Sequence, residues 1–194
     1  MDDILKIDDL KKEFLSLQSF IYFDENDFLR EKCSDEVALQ KVIRDFEKAI
    51  FEGTNRSQTE ELIFLYGTIG NLYRIKGEMK PAIEVLSKAV ELSEGNKQIS
   101  NLIRLGEALK YADQYQQALS IFNAVINQCK QEHSQLLDFA YQHKGKCLLE
   151  LEEISEAYEC FQKAMDLRVR KGDESLIDST QKALNFVKHH GGLE

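Results

Sequence analysis

The chain has 194 residues, 43% of them apolar and 30% charged, with a single proline and a net charge of −9. That length suits one domain with a substantial core, and the scarcity of proline beside abundant Leu, Ala, Glu, Lys and Gln predicts a helical protein. No run approaches the roughly 18 apolar residues of a membrane span, the acidic start Met1-Asp2-Asp3-Ile4 is unlike a secretory signal, and no basic stripe of the kind that grips nucleic acid is visible.

The opening segment is the acidic part of the chain, with eleven acids and five bases in residues 1–36, which leaves the rest close to neutral. Ile7, Leu10, Phe14, Leu17 and Ile21 recur at helical spacing and predict one helix over about 7–23, broken by Asp24-Glu25-Asn26-Asp27. A second helix, about 36–52, carries Leu39, Val42, Ile43, Phe46 and Ile50 and stops at Gly53. Ser57 followed by Glu60 has the spacing of a capping box for the next helix.

From there the chain repeats itself at intervals of 36 and then 39 residues. Ala82, Ala118 and Ala157 align; so do Leu86, Phe122 and Phe161, and again Ala89, Val125 and Ala164. Twelve positions before each alanine stands a glycine, Gly70, Gly106 or Gly145, flanked by the large residues Tyr66, Leu102 or Tyr141 and Tyr73, Leu109 or Leu148. Each copy reads as two amphipathic helices joined by a short turn, with small residues where the helices approach and large ones filling the gap to the next pair. The copies cover about 58–94, 97–131 and 134–171, with Pro81 in a first helical turn and Gly77, Gly95 and Gly172 as breaks. Residues 1–56 form N-terminal helices, and Val42, Phe46 and Ala49 fall on the alanine columns, as in the second helix of a degenerate leading repeat; the glycine column would fall on Arg30. Asp173 can cap a last helix, 173–189, whose Leu176, Ile177, Thr180, Ala183, Leu184 and Val187 form one stripe that would cover the end of a single continuous stack.

These columns resemble the tetratricopeptide repeat, TPR, whose pattern is a large residue, then L-G-x2-Y, then A-x3-F; the first copy reads Tyr66-x2-Ile69-Gly70-x2-Tyr73, then Ala82-x3-Leu86. The resemblance implies an all-α, right-handed solenoid of antiparallel helix pairs, here with seven or eight helices, no sheet and a C-terminal capping helix. The run Leu167-Arg168-Val169-Arg170-Lys171-Gly172-Asp173 is similar to the tail of many bacterial TPR proteins. It further implies a concave wall lined by first-helix residues. Carried over by position, these are Phe64, Gly67, Asn71 and Arg74, then Ile103, Arg104, Glu107 and Lys110, then Phe139, Gln142, His143 and Lys146. Asn71, Glu107 and Lys146 would meet a bound segment in turn, and as exposed polar residues their replacement by Ala should leave folding nearly intact. Of the carboxylate-clamp residues of co-chaperone TPR domains only Asn71 matches; Gly67, Arg104, Phe139 and His143 stand at the other positions.

No phosphate loop, H-E-x2-H or G-x-S-x-G occurs, and the scattered Cys33, Cys129, Cys147 and Cys160 read as small apolar filler, although Cys147 and Cys160 fall on the two helices of one repeat. His189-His190 sit near a helix C-terminus, where partial positive charge is favourable. The expectation is a non-enzymatic cytoplasmic scaffold that needs no cofactor or metal and binds a protein or peptide segment, with no nucleic acid or membrane partner; a homodimer through exposed repeat ends stays open. The alternative is a peptide-responsive signalling regulator, because the long repeats are also similar to the TPR domains of bacterial pheromone receptors and aspartyl-phosphate phosphatases.

Overall fold

In the computed structural model, residues 7–53, 59–132 and 134–191 are described. Nine α-helices and one two-stranded sheet are present among them: α1 Ile7–Leu17, β1 Ile21–Asp24, β2 Arg30–Cys33, α2 Glu36–Gly53, α3 Thr59–Lys76, α4 Met79–Leu92, α5 Gly95–Tyr111, α6 Tyr115–Gln131, α7 Leu137–Glu150, α8 Ile154–Lys171 and α9 Glu174–Gly191. Helices α3/α4, α5/α6 and α7/α8 form successive antiparallel pairs. The first helices of the pairs also touch one another in the row α3, α5, α7, α9, so they make the inner layer of a solenoid.

The glycine column explains how close the two helices of a pair come. A Cβ on Gly145 would lie 2.7 Å from a ring carbon of Phe161, and one on Gly106 the same distance from Phe122. The large residue of each second helix is therefore seated on the bare backbone of the first, and Phe122 and Phe161 are fully buried there. Gly145→Leu should cost about 1–3 kcal/mol by overpacking this joint; a urea midpoint equal to wild type would count against it.

Asp35 caps α2 through the Ala38 amide at 2.9 Å, and Asp173 caps α9 through the Leu176 amide at 3.1 Å. Ser57, the expected cap of α3, lies outside the described residues. Val42, Phe46 and Ala49 are buried, as their columns predict. Cys129, Cys147 and Cys160 are free, buried thiols, and burial pushes Cys147 up to about 11, which keeps it in the unreactive thiol form.

The N-terminal expectation needs correcting, both in its single helix over 7–23 and in the absence of a sheet. After α1 comes one 3-10 turn, Gln18–Phe20, and then an antiparallel hairpin pairing Ile21 with Cys33 and Asp24 with Arg30. Phe20-Ile21-Tyr22-Phe23 is an aromatic and β-branched run that favours extended backbone, and Asp24-Glu25-Asn26-Asp27 supplies the turn. Ile21 continues the helical spacing of Leu17 by coincidence only. Leu10 and Leu17 of α1 still pack into the core that α2 shares with α3, so the hairpin is an excursion between two stacked helices.

Candidate functional site: the concave channel

The inner layer places the expected residues of α3, α5 and α7 on one wall, but the hairpin lies across part of it. Face by face, Phe23 and Glu31 form one cross-strand pair and Ile21 and Cys33 another, and these point at the solenoid. Glu31 pairs with Arg74 of α3, and its amide donates to the Tyr111 hydroxyl of α5 at 2.6 Å. Arg30 grips Glu150 of α7 with two hydrogen bonds, 3.2 and 2.6 Å, the fork geometry that suits a carboxylate. Lys146 donates to the Leu29 carbonyl at 3.3 Å and sits 4.2 Å above the Phe23 ring. Leu29, at the tip, is buried with Leu148, Leu149, Leu184 and Val187.

Beneath the hairpin the charges are dense. Lys110 and Glu150, both about 1% exposed, are 2.6 Å apart. Arg30, Arg74 and Lys110 surround the Tyr111 ring at 4.9, 4.7 and 4.6 Å, so one electron-rich ring serves three cations. Burial opposes ionisation of Glu107, yet Arg74 at 3.8 Å and the His143 ring at 3.0 Å hold its carboxyl well below the usual carboxylate range.

Glu107 and Lys146 are therefore 7% and 6% exposed, and the expectation that both are dispensable surface groups is overturned. Ile103, Arg74, Lys110 and Gln142 are buried too, while Phe64, Asn71, Arg104, Phe139 and His143 remain partly open. The hairpin, seated on Arg74 and Lys146, is the reason at those positions, whereas Ile103 is buried in the apolar cluster of α5, α6 and α7. Burial lowers the Lys146 ammonium from 10.5 to about 8, against the pull of Glu31. Between these values the unfolded chain still holds a proton that the native lysine has released, so this group makes stability rise with pH. Lys146→Met should abolish that contribution, read as a smaller gain in urea midpoint from pH 7.5 to 9 than wild type shows.

The other half of the channel is different in kind. Among the described residues no carboxylate lies within ion-pairing distance of Arg104; its one described hydrogen bond is to Asn101 Oδ1 at 3.4 Å, and burial lowers its guanidinium against the weaker pull of Glu107. It extends over Gly67, where a Cβ would lie 2.8 Å from Nη1. Both amide atoms of Gln142 are buried and lack a hydrogen-bond partner among the described residues. Among the described residues no cluster has the composition of a metal site, and no helix is long and apolar enough to cross a membrane.

The sequence pattern foresees the wall but misses Leu29, Arg30, Glu31, Tyr111 and Glu150. A signal exists for the first three, since an aromatic β-favouring run followed by an acidic turn marks a hairpin. Tyr111 and Glu150 share a column five positions after the glycine, one residue past Lys110 and four past Lys146.

A tetratricopeptide-repeat family model matches residues 65–96 and 140–168. These segments contain the first and third copies of the glycine and alanine columns, so over these residues the chain matches the tetratricopeptide repeat. No curated protein matches it. Among solved structures it is similar to the kinesin-light-chain TPR-like repeat protein of Podosopora anserina, at 12% identity and a TM-score of 0.66, over 96% of this chain and 88% of that one. The apo form of RapI gives 13% identity and a TM-score of 0.67 over 94% and 64% of the two chains. PlcR of Bacillus thuringiensis, in complex with the peptide PapR7 and DNA, gives 21% and 0.63 over 75% and 53%. The chain thus spans less than two thirds of RapI and of PlcR, and at these identities the likeness is one of fold.

Proposed function

We propose that this protein is a non-catalytic binding scaffold that receives an extended peptide or protein segment in the open half of its concave channel. One observation carries the reading: the wall holds polar groups that lack a hydrogen-bond partner among the described residues. Buried amides and guanidinium nitrogens without partners are rare, because each forfeits hydration worth about 1–3 kcal/mol. Gln142 holds a donor and an acceptor, which suits a peptide backbone, and Arg104 holds a cation with no carboxylate at ion-pairing distance among the described residues. The half-open rings of Phe64 and Phe139 add apolar surface. PlcR, whose structure holds a peptide, supports the narrower alternative of a peptide-responsive regulator.

The test is to select a random peptide library on the protein and compare the selected peptides on Arg104→Gln and Gln142→Leu. Binding should fall at least tenfold, about 1.4 kcal/mol, with Tm little changed. Peptides that bind both variants as well as wild type would place the site elsewhere, on the convex face or the acidic N-terminal segment.

A further inference from the structure

The closed half of the channel carries a second inference, independent of the one above. We propose that the wall formed by Arg74, Tyr111, Lys110, Glu150 and Lys146 is itself a peptide site, for segments bearing an apolar residue followed by Arg and Glu, and that residues 21–33 are its built-in, displaceable occupant. The ligand chemistry is displayed by the hairpin. Leu29 fills an apolar seat between α7 and α9, Arg30 forks onto Glu150, and Glu31 meets Arg74 while its amide reaches Tyr111. Three consecutive residues thus read three different features of the wall.

The manner of attachment marks the hairpin as an occupant and not a core element. Phe20, Tyr22, Phe23 and Phe28 are 40 to 48% exposed, so its aromatic surface is only half used. Phe28 and Leu29 both hold positive φ, 49° and 58°, a region that non-glycine residues avoid, so the seated tip is strained. Part of its grip is ionic, and a buried ion pair gains hydration when it is opened, which offsets much of what those contacts supply. A cleft of about 820 Å³ beside it, between the hairpin, α2 and the α3–α4 turn, leaves room for movement. Its ends, Ile21 and Cys33, pack on the core that α1 and α2 share, so the tip around Phe28–Glu31 is the part that can swing out without unpacking either helix.

Two measurements on the full chain decide the matter. In wild type, hydrogen exchange should be at least a hundredfold faster at the Glu31 and Ser34 amides, which hold the hairpin, than in the middle of α5 and α7. Second, the variant Leu29→Ser/Arg30→Ala/Glu31→Ala should keep the helical circular dichroism of wild type and bind a labelled synthetic peptide of residues 18–34. Wild type should bind that peptide at least tenfold more weakly, and a peptide with Arg30→Ala and Glu31→Ala should not bind. Hairpin amides as protected as those of α5, an unfolded triple variant, or a folded one that ignores the peptide would each overturn the proposal. None of these results touches Arg104 or Gln142, so the reading of the open half stands or falls separately.

Discussion

Asp138→Ala should lower the unfolding free energy by about 3–5 kcal/mol, the range for removing one partner of a buried ion pair. Asp138 is fully buried at the start of α7 and accepts from Arg168 Nε at 2.9 Å and from Lys171, both on α8. Arg168 is 2% exposed and donates onward to the Leu176 carbonyl at 3.1 Å and the Thr180 hydroxyl at 2.7 Å, both on α9. It also lies 5.2 Å from the Phe139 ring. One carboxylate therefore joins three helices through one guanidinium. Truncating it strands a buried cation, whereas removing both charges does not. The double variant Asp138→Leu/Arg168→Met should accordingly lose less than Asp138→Ala alone. Chemical denaturation of the two variants checks this; a loss under about 1 kcal/mol for Asp138→Ala would mean that Arg168 finds other partners and the junction is not polar in origin.

That junction was invisible in the sequence, as was the hairpin, and the reason is common to both. Apolar periodicity is a local signal, and it placed the glycine and alanine columns correctly because each reports packing within one helix pair. Gly106 under Phe122 and Gly145 under Phe161 are sixteen residues apart and repeat. Arg168 with Asp138, or Arg30 with Glu150, are thirty and 120 residues apart and occur once. A repeat fixes which helix face turns inward, so Arg74, Glu107, Lys110 and Lys146 fall on the inner layer. It is silent on what covers that wall. Exposure was therefore misjudged at Glu107 and Lys146, and at Lys146 a segment outside the repeats supplies the cover.

Removal of residues 173–194 should destabilise the protein and also loosen the hairpin at the far end of the chain. Thr180, Ala183, Leu184 and Val187 of α9 are buried against Leu148, Leu149, Ala157, Cys160 and Phe161. At roughly 1.5–3 kcal/mol for each large aliphatic side chain, Leu184 and Val187 alone account for about 3–6 kcal/mol. The uncovered surface is a contiguous apolar patch, which drives association. Arg168 loses the Leu176 and Thr180 oxygens in the same step, so a buried cation is left with fewer acceptors. Leu29 belongs to the same apolar cluster, and Phe28 lies 6.5 Å from the Phe186 ring, so the tip of the hairpin loses its seat. The expected result is a lower Tm, a dimer or larger species in sedimentation, and faster exchange at the Glu31 amide than in the intact chain. A truncated monomer with unchanged Tm would show that α9 contributes no cover. A destabilised one whose Glu31 amide exchanges as before would show that the hairpin is held by Glu150, Tyr111 and Arg74 alone.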